Sequence, residues 1–175
     1  MILINLFGAP GTGKSTGAAY IFSQLKMRGV NAELVTEFAK DKTWEHNMIA
    51  LSNQAYVFGK QYYRISRCAD QVDVIVTDSP LLLSLVYNNS SVLGQDFNKV
   101  VKAVADSFNS RNYYLTRVKP YNPIGRNQTE EEADQIADQI YETLVKEKIP
   151  FSTKPGHQPG YQSIVENILD ELGID

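Results

Sequence analysis

Gly8-Ala9-Pro10-Gly11-Thr12-Gly13-Lys14-Ser15 satisfies the pattern Gly-x4-Gly-Lys-Ser/Thr. Its flanks decide how it folds. Ile2 to Phe7, just before it, is apolar and ends at a glycine, which predicts a buried strand. Lys14 to Arg28, just after it, has apolar residues at Ala18, Ile21, Phe22 and Leu25 and stops before Gly29, which predicts a helix. A glycine-rich turn between strand and helix lets backbone N–H groups converge on phosphate oxygens. The helix behind it offers its positive N-terminus to the same anion. In such a loop the lysine, Lys14, reaches the β- and γ-phosphates of ATP, and the hydroxyl of Ser15 holds Mg2+. The candidate nucleotide-contacting residues are Gly8, Ala9, Pro10, Gly11, Thr12, Gly13, Lys14, Ser15 and Thr16. A chance match in a chain this long is expected on the order of once in 100.

Outward from that loop, strands and helices alternate. Glu33 to Thr36 reads as a second strand, and Glu45 to Asp70 as helix in two pieces. Asp73 to Thr77 is a third strand, followed by helices over Pro80–Asn88 and Gln95–Phe108. Asn112 to Val118 is a fourth strand, and Lys119 to Gln128, with two prolines and a glycine, is a loop. Thr129 with Glu132 three residues on forms a capping box for a helix through Glu147. Ile149 to Thr153 is a fifth strand and Gly160 to Leu172 a last helix. Strands separated by helices predict an α/β fold with a parallel sheet covered on both faces.

Composition narrows the class. The 175 residues are 43% hydrophobic and 21% charged, which is globular and excludes disordered, collagen-like or coiled-coil chains. The length predicts one domain over 1–175. The single cysteine, Cys68, excludes an internal disulfide framework and a cysteine-rich zinc site, and points to a reducing, cytoplasmic compartment. No apolar run is long enough to span a bilayer, and the N-terminus lacks the basic region of a signal peptide. Net charge is −3, unevenly spread: residues 1–128 hold 14 Lys/Arg against 9 Asp/Glu, and residues 129–175 hold 3 against 11. The acidic part reads as solvated helix faces, while the basic part keeps phosphate-rich partners open.

A guanine-nucleotide switch needs Asp-x-x-Gly after its third strand. Here the segment is Asp78-Ser79-Pro80-Leu81, so a small phosphoryl-transfer enzyme remains. Asp78 ends the third strand beside the loop, where a carboxylate holds magnesium or polarises an acceptor hydroxyl. The alternative is that Asp78 caps the helix beginning at Pro80, and Ser79 could equally be that cap. Glu37 ends the second strand at the same sheet edge, placed to accept or orient a hydroxyl proton. Arg117, Lys119 and Arg126 lie in or beside the loop after the fourth strand. A closing lid over about 117–129 would bring positive charge to the migrating phosphoryl group. On the 54–68 helix, Gln54, Gln61, Arg64 and Arg67 alternate with Tyr56, Phe58, Tyr62 and Tyr63. The glutamines and arginines are candidate substrate contacts for base edges and phosphates; the tyrosines read as packing. Trp44 reads as core, and His46 and His157 as structural. The proline- and glycine-rich Lys154 to Gly160 could rest against an adenine ring.

Four segments carry a resemblance. Gly8–Ser15, Val35-Thr36-Glu37-Phe38-Ala39-Lys40-Asp41, Thr77-Asp78-Ser79-Pro80-Leu81-Leu82 and Gly125-Arg126-Asn127-Gln128-Thr129-Glu130-Glu131-Glu132-Ala133 look like the small P-loop kinases of tailed bacteriophages. These are similar to the thymidylate and deoxynucleoside kinase group, and in particular the sequence resembles the phage 5-hydroxymethyluracil DNA kinases. The resemblance implies a three-layer P-loop sandwich with five strands in the order 2-3-1-4-5. It implies a substrate cleft over Glu37, Asp78 and the 54–67 helix, and a lid around Arg126. The implied reaction moves the γ-phosphoryl group of ATP to a hydroxymethylated pyrimidine in DNA. A kinase of a free nucleoside, nucleotide or related metabolite is the alternative, and after it a nucleotide-binding regulator without an acceptor.

Overall fold

The computed structural model describes residues 1–122 and 129–174. Strand β1 (Ile2–Phe7) is buried along its whole length. Because strand side chains alternate, Ile2, Ile4 and Leu6 enter one core and Leu3 and Phe7 the other. The first core is closed by α1 (Lys14–Met27), through Ala18, Ile21 and Leu25. The second forms beneath helices that come later in the chain.

After β2 (Ala32–Val35) come three helices: α2 (Phe38–Trp44), α3 (Met48–Ser52) and α4 (Gln54–Ala69). Asn47 and Asn53 cap the last two, accepting from Ala50 N at 3.0 Å and Tyr56 N at 3.0 Å. Next in the chain are β3 (Val74–Thr77), α5 (Leu83–Tyr87), α6 (Gly94–Asp106) and β4 (Asn109–Thr116). The described chain finishes with α7 (Glu130–Lys146), β5 (Ser152–Pro155) and α8 (Gln158–Leu172). Helix α8 packs with α1 on the first face, through Ile164, Val165 and Ile168. Helices α4, α6 and α7 send Phe58, Ile65, Val101, Ile140 and Leu144 to the second.

The five strands pair in parallel in the order β2-β3-β1-β4-β5, as expected. The capping box on α7 is present: Thr129 N donates to Glu132 Oε2 at 2.7 Å, and Glu132 N to Thr129 Oγ1 at 3.2 Å. Element ends shift by a few residues, β4 starting at Asn109 and α5 only at Leu83, and two differences have a visible cause. Strand β5 starts at Ser152, because Ile149 and Phe151 pack against the second core before the chain pairs with β4. Helix α2 has no counterpart among the expected elements. It buries only Phe38, so it has no apolar stripe to read.

The strand register sets the position of the loop and its neighbours. Thr77 lies opposite both Asn5 and Val35, so β1, β2 and β3 deliver their next residues to one carboxyl edge. No helix among the described residues is long and apolar enough to cross a membrane.

Candidate active site

At that edge β1 runs straight into the glycine-rich loop. The Lys14 ammonium folds back over it, donating to the Gly8 carbonyl at 2.8 Å and the Ala9 carbonyl at 3.0 Å. Gly13 enters α1 at φ 90°, in the left-handed region. A Cβ there would also strike the hydroxyl of Tyr161 on α8, so the position admits only glycine. Tyr161 donates that hydroxyl to the Gly13 carbonyl at 3.0 Å and lays its ring against Gly17. Gly156, after β5, sits so close to the Thr12 carbonyl that a Cβ would overlap it. The loop is therefore backed from behind by the last strand-to-helix turn.

In front of the loop opens a cleft of about 570 Å³. Pro10, Gly11, Gly13, Lys14, Ser15 and Thr16 line one side, and Glu37 and Asp78 come in from the ends of β2 and β3. Gly8, Ala9 and Thr12 are buried beneath this surface. Asp78 is 4% exposed, and its Oδ1 has no hydrogen-bond partner among the described residues. Glu37 as a residue keeps some contact with solvent, but its carboxyl lies deep. Burial pushes its pKa above the usual glutamate value; Lys14 pulls it down and Asp78 pushes it up further.

The opposite wall is apolar and aromatic, made by Trp44, Met48 and Leu51 with Gln54 and Val57. Trp44 is 62% exposed and lines this wall, which corrects its reading as a core residue. Short helices α2 and α3 leave it there because neither has a second layer over it. Tyr87, at the end of α5, also lines the cleft. Burial, with the Glu37 charge second, pushes its hydroxyl up to about 12. Nothing in the sequence pattern singles out Tyr87, Lys40 or Met48; only the fold brings them to the cleft.

The four candidate contacts on α4 separate. Gln54 and Gln61, seven residues apart, line the cleft. Both halves of the Gln61 amide are engaged by protein: Oε1 accepts from Phe38 N at 2.9 Å, and Nε2 donates to Thr77 Oγ1 at 3.4 Å. Arg64 does not line the cleft. It pairs with Asp41, donates to the Thr36 carbonyl at 3.2 Å and stacks on the Phe38 ring. Arg67 is exposed on the last turn of α4. Arg117 pairs with Asp134 and Glu130 at the start of α7 and stacks on Tyr121, away from the cleft lining. Lys119 is exposed. Arg126, with residues 123–128 of the expected lid, lies outside the described residues.

A parallel sheet in this order, with a Gly-x4-Gly-Lys-Ser loop after its central strand, is the fold of a P-loop nucleoside-triphosphate protein. The chain belongs to the family described as AAA domain, whose model matches residues 3–158. Among solved structures it is similar to an NadR protein in complex with NR, at 14% identity and a TM-score of 0.77. A second NadR structure, in complex with NAD and AMP-PNP, matches at 13% and 0.74. The chain is 99% covered in both and spans about half the length of those proteins, 52% and 50%. It is also similar to deoxyadenosine kinase from M.mycoides with bound dATP, at 17% identity and a TM-score of 0.58, with 98% of this chain and 99% of that one covered. These likenesses are of fold. No curated protein matches the chain.

Proposed function

We propose that the chain is an ATP-dependent kinase that phosphorylates an alcohol group on a nucleoside-like acceptor. The observation that carries this reading is the meeting of Lys14, Glu37 and Asp78 in one cleft whose other wall is aromatic and apolar. ATP would lie along the loop, with its γ-phosphate toward Glu37. The acceptor ring would rest on Trp44, with its edge toward Gln54. Glu37 takes the acceptor proton as the acceptor oxygen bonds to the γ-phosphorus. The bond to the β,γ-bridging oxygen breaks, and ADP leaves. Lys14 stabilises the charge that builds on the migrating group.

The residues also suit magnesium. Asp78 has a buried carboxylate oxygen with no partner among the described residues, and Ser15 lies exposed at the start of α1. These two would hold the ion, which neutralises phosphate charge when bound. Arg117 and Arg126 belong to this reading as lid cations. Arg117 would first have to leave Asp134 and Glu130.

The narrower reading is phosphorylation of the hydroxymethyl group of 5-hydroxymethyluracil in phage DNA, in the host cytoplasm. Its support is the resemblance of the four sequence segments and the exposed Lys60, Tyr63 and Arg67 on the outer side of α4, available to DNA phosphates and bases. A second reading, a free nucleoside or nucleotide acceptor, is favoured by the cleft. Its volume suits a small molecule, and Arg64 is occupied by Asp41. The fold likeness to a nucleoside kinase and to a protein holding NR supports the same view.

The deciding experiment is transfer of radiolabelled γ-phosphate to hydroxymethyluracil DNA, to free hydroxymethyldeoxyuridine and to its monophosphate. Label in DNA alone supports the narrower reading. Label in a small acceptor alone overturns it and keeps the kinase. ATP turnover that no acceptor stimulates overturns the kinase in favour of a regulator.

A further inference from the structure

An α-helix leaves its first N–H groups without partners, and the residue at its N-cap usually supplies one from its own side chain. Glu37 is the N-cap of α2, yet its carboxylate makes no capping bond. The first orphan donor, Phe38 N–H, stands at the helix's first position, ahead of the two an N-cap side chain reaches, and is satisfied by Gln61 Oε1 at 2.9 Å from α4. Gln61 is 4% exposed, so this is an interior contact rather than a surface one.

The other end of the same amide donates to Thr77 Oγ1 at 3.4 Å. That oxygen also accepts from Ser79 N at 3.1 Å. Thr77 and Ser79 flank Asp78. Phe38 N–H can only donate, so the orientation of the amide is fixed by its partners. One side chain thus spans the turn that carries Glu37 and the turn that carries Asp78.

We propose that Gln61 is a positioning residue: it satisfies the first N–H of α2, next to Glu37, and so ties the turn that aims Glu37 into the cleft to the one holding Asp78. This rests on the kinase reading for its consequence in catalysis, but not for its geometry. Other groups face Glu37 as well: Lys14 from the loop, Asp78 from the end of β3, Lys40 and Asp41 from α2, and Tyr87 from α5. Their contributions stay in place when residue 61 alone is changed.

The test compares Gln61→Leu with Gln61→Glu. Leucine leaves Phe38 N–H without its acceptor and unties the turn, so the Glu37 carboxyl is no longer held in its buried place. Burial is what raises its pKa most, so a carboxyl released toward water favours its charged form. The Glu37 titration midpoint therefore falls in Gln61→Leu, read by carbon NMR of labelled glutamate and assigned with Glu37→Gln. Glutamate at 61 still offers Phe38 N–H an oxygen, and any charge it carries opposes ionisation of Glu37. The midpoint in Gln61→Glu stays level with wild type or rises.

Turnover with whichever acceptor takes the label should drop roughly tenfold or more in Gln61→Leu, while KM for ATP stays within about twofold. Thr77→Val cuts the other end of the tie and should lower turnover in the same direction. It is the variant to use if Gln61→Leu does not fold. An unmoved Glu37 midpoint in a folded Gln61→Leu protein overturns the proposal. So does a fall of equal size in Gln61→Glu, or unchanged turnover in Thr77→Val. If wild type phosphorylates nothing, the kinase reading fails, and the NMR titration still decides the role of Gln61.

Discussion

The Glu37 pKa is raised in the folded chain, so the fold holds the proton more tightly than the unfolded chain does. Stability is therefore lost as pH rises from the ordinary glutamate range through the raised value. Glu37→Gln carries no charge to desolvate, so it should melt at a higher temperature than wild type at neutral to mildly alkaline pH. The difference should vanish in acid, where both forms are neutral; thermal unfolding across pH checks this. The same substitution should lower turnover by about a hundredfold or more, with ATP affinity little changed. The acid limb of the wild-type pH–rate profile should lie above the usual glutamate range. At Lys14 stability is not at stake in the same way. The ammonium donates to two loop carbonyls within 3.0 Å, and removing it leaves the sheet intact. Lys14→Ala should cost about 3 kcal/mol or more of transition-state stabilisation while circular dichroism stays unchanged. Both residues are legible in the sequence because the glycine pattern and the strand end each specify an edge of the sheet. Tyr87 is not legible, because its place depends on how a five-residue helix turns over Glu37.

Helices α2 and α3 make much of the apolar wall of the cleft, and they are the hardest elements to read. Seven residues with one buried side chain give no periodicity, and five give less. The strands and the longer helices can be read because each has a face to bury. Trp44 shows the limit. A lone tryptophan is usually core, but here the helix carrying it ends at the cleft and leaves the indole largely exposed. If it is the platform for the acceptor ring, Trp44→Ala should raise acceptor KM by an amount worth about 1–3 kcal/mol. Because the side chain is already largely in water, melting temperature should hardly change. Unchanged kinetics with every acceptor would move the platform elsewhere on this wall. On α4, helical spacing separates Gln54 and Gln61 from Arg67. That spacing is visible in the chain, but only the packing says which side meets the cleft.

Across the whole molecule the alternation of strand and helix makes the parallel sheet readable, while charge leaves the partner open. The first 128 residues carry the excess of Lys/Arg and the rest the excess of Asp/Glu. The two parts meet in ion pairs of Arg117 with Glu130 and Asp134, Lys102 with Glu147 and Arg111 with Glu171. If DNA is the acceptor, turnover at subsaturating DNA should fall steeply with added salt, since each neutralised phosphate releases counterions. Arg67→Glu should then weaken DNA affinity more than ATP affinity. A salt-independent rate, with Arg67→Glu behaving as wild type, would point to a small acceptor instead. The backing of the phosphate loop by Gly156 and Tyr161 bears on how the protein is made. Tyr161 comes 148 residues after the glycine whose carbonyl it holds. At about 5–20 residues per second, the ribosome takes roughly 7–30 s to cover that distance. Through that interval a nascent chain carries its phosphate-loop motif without the backing that Tyr161 gives it. A nucleotide held by this loop should therefore add its full stability to the fold only after α8 has emerged and docked on α1.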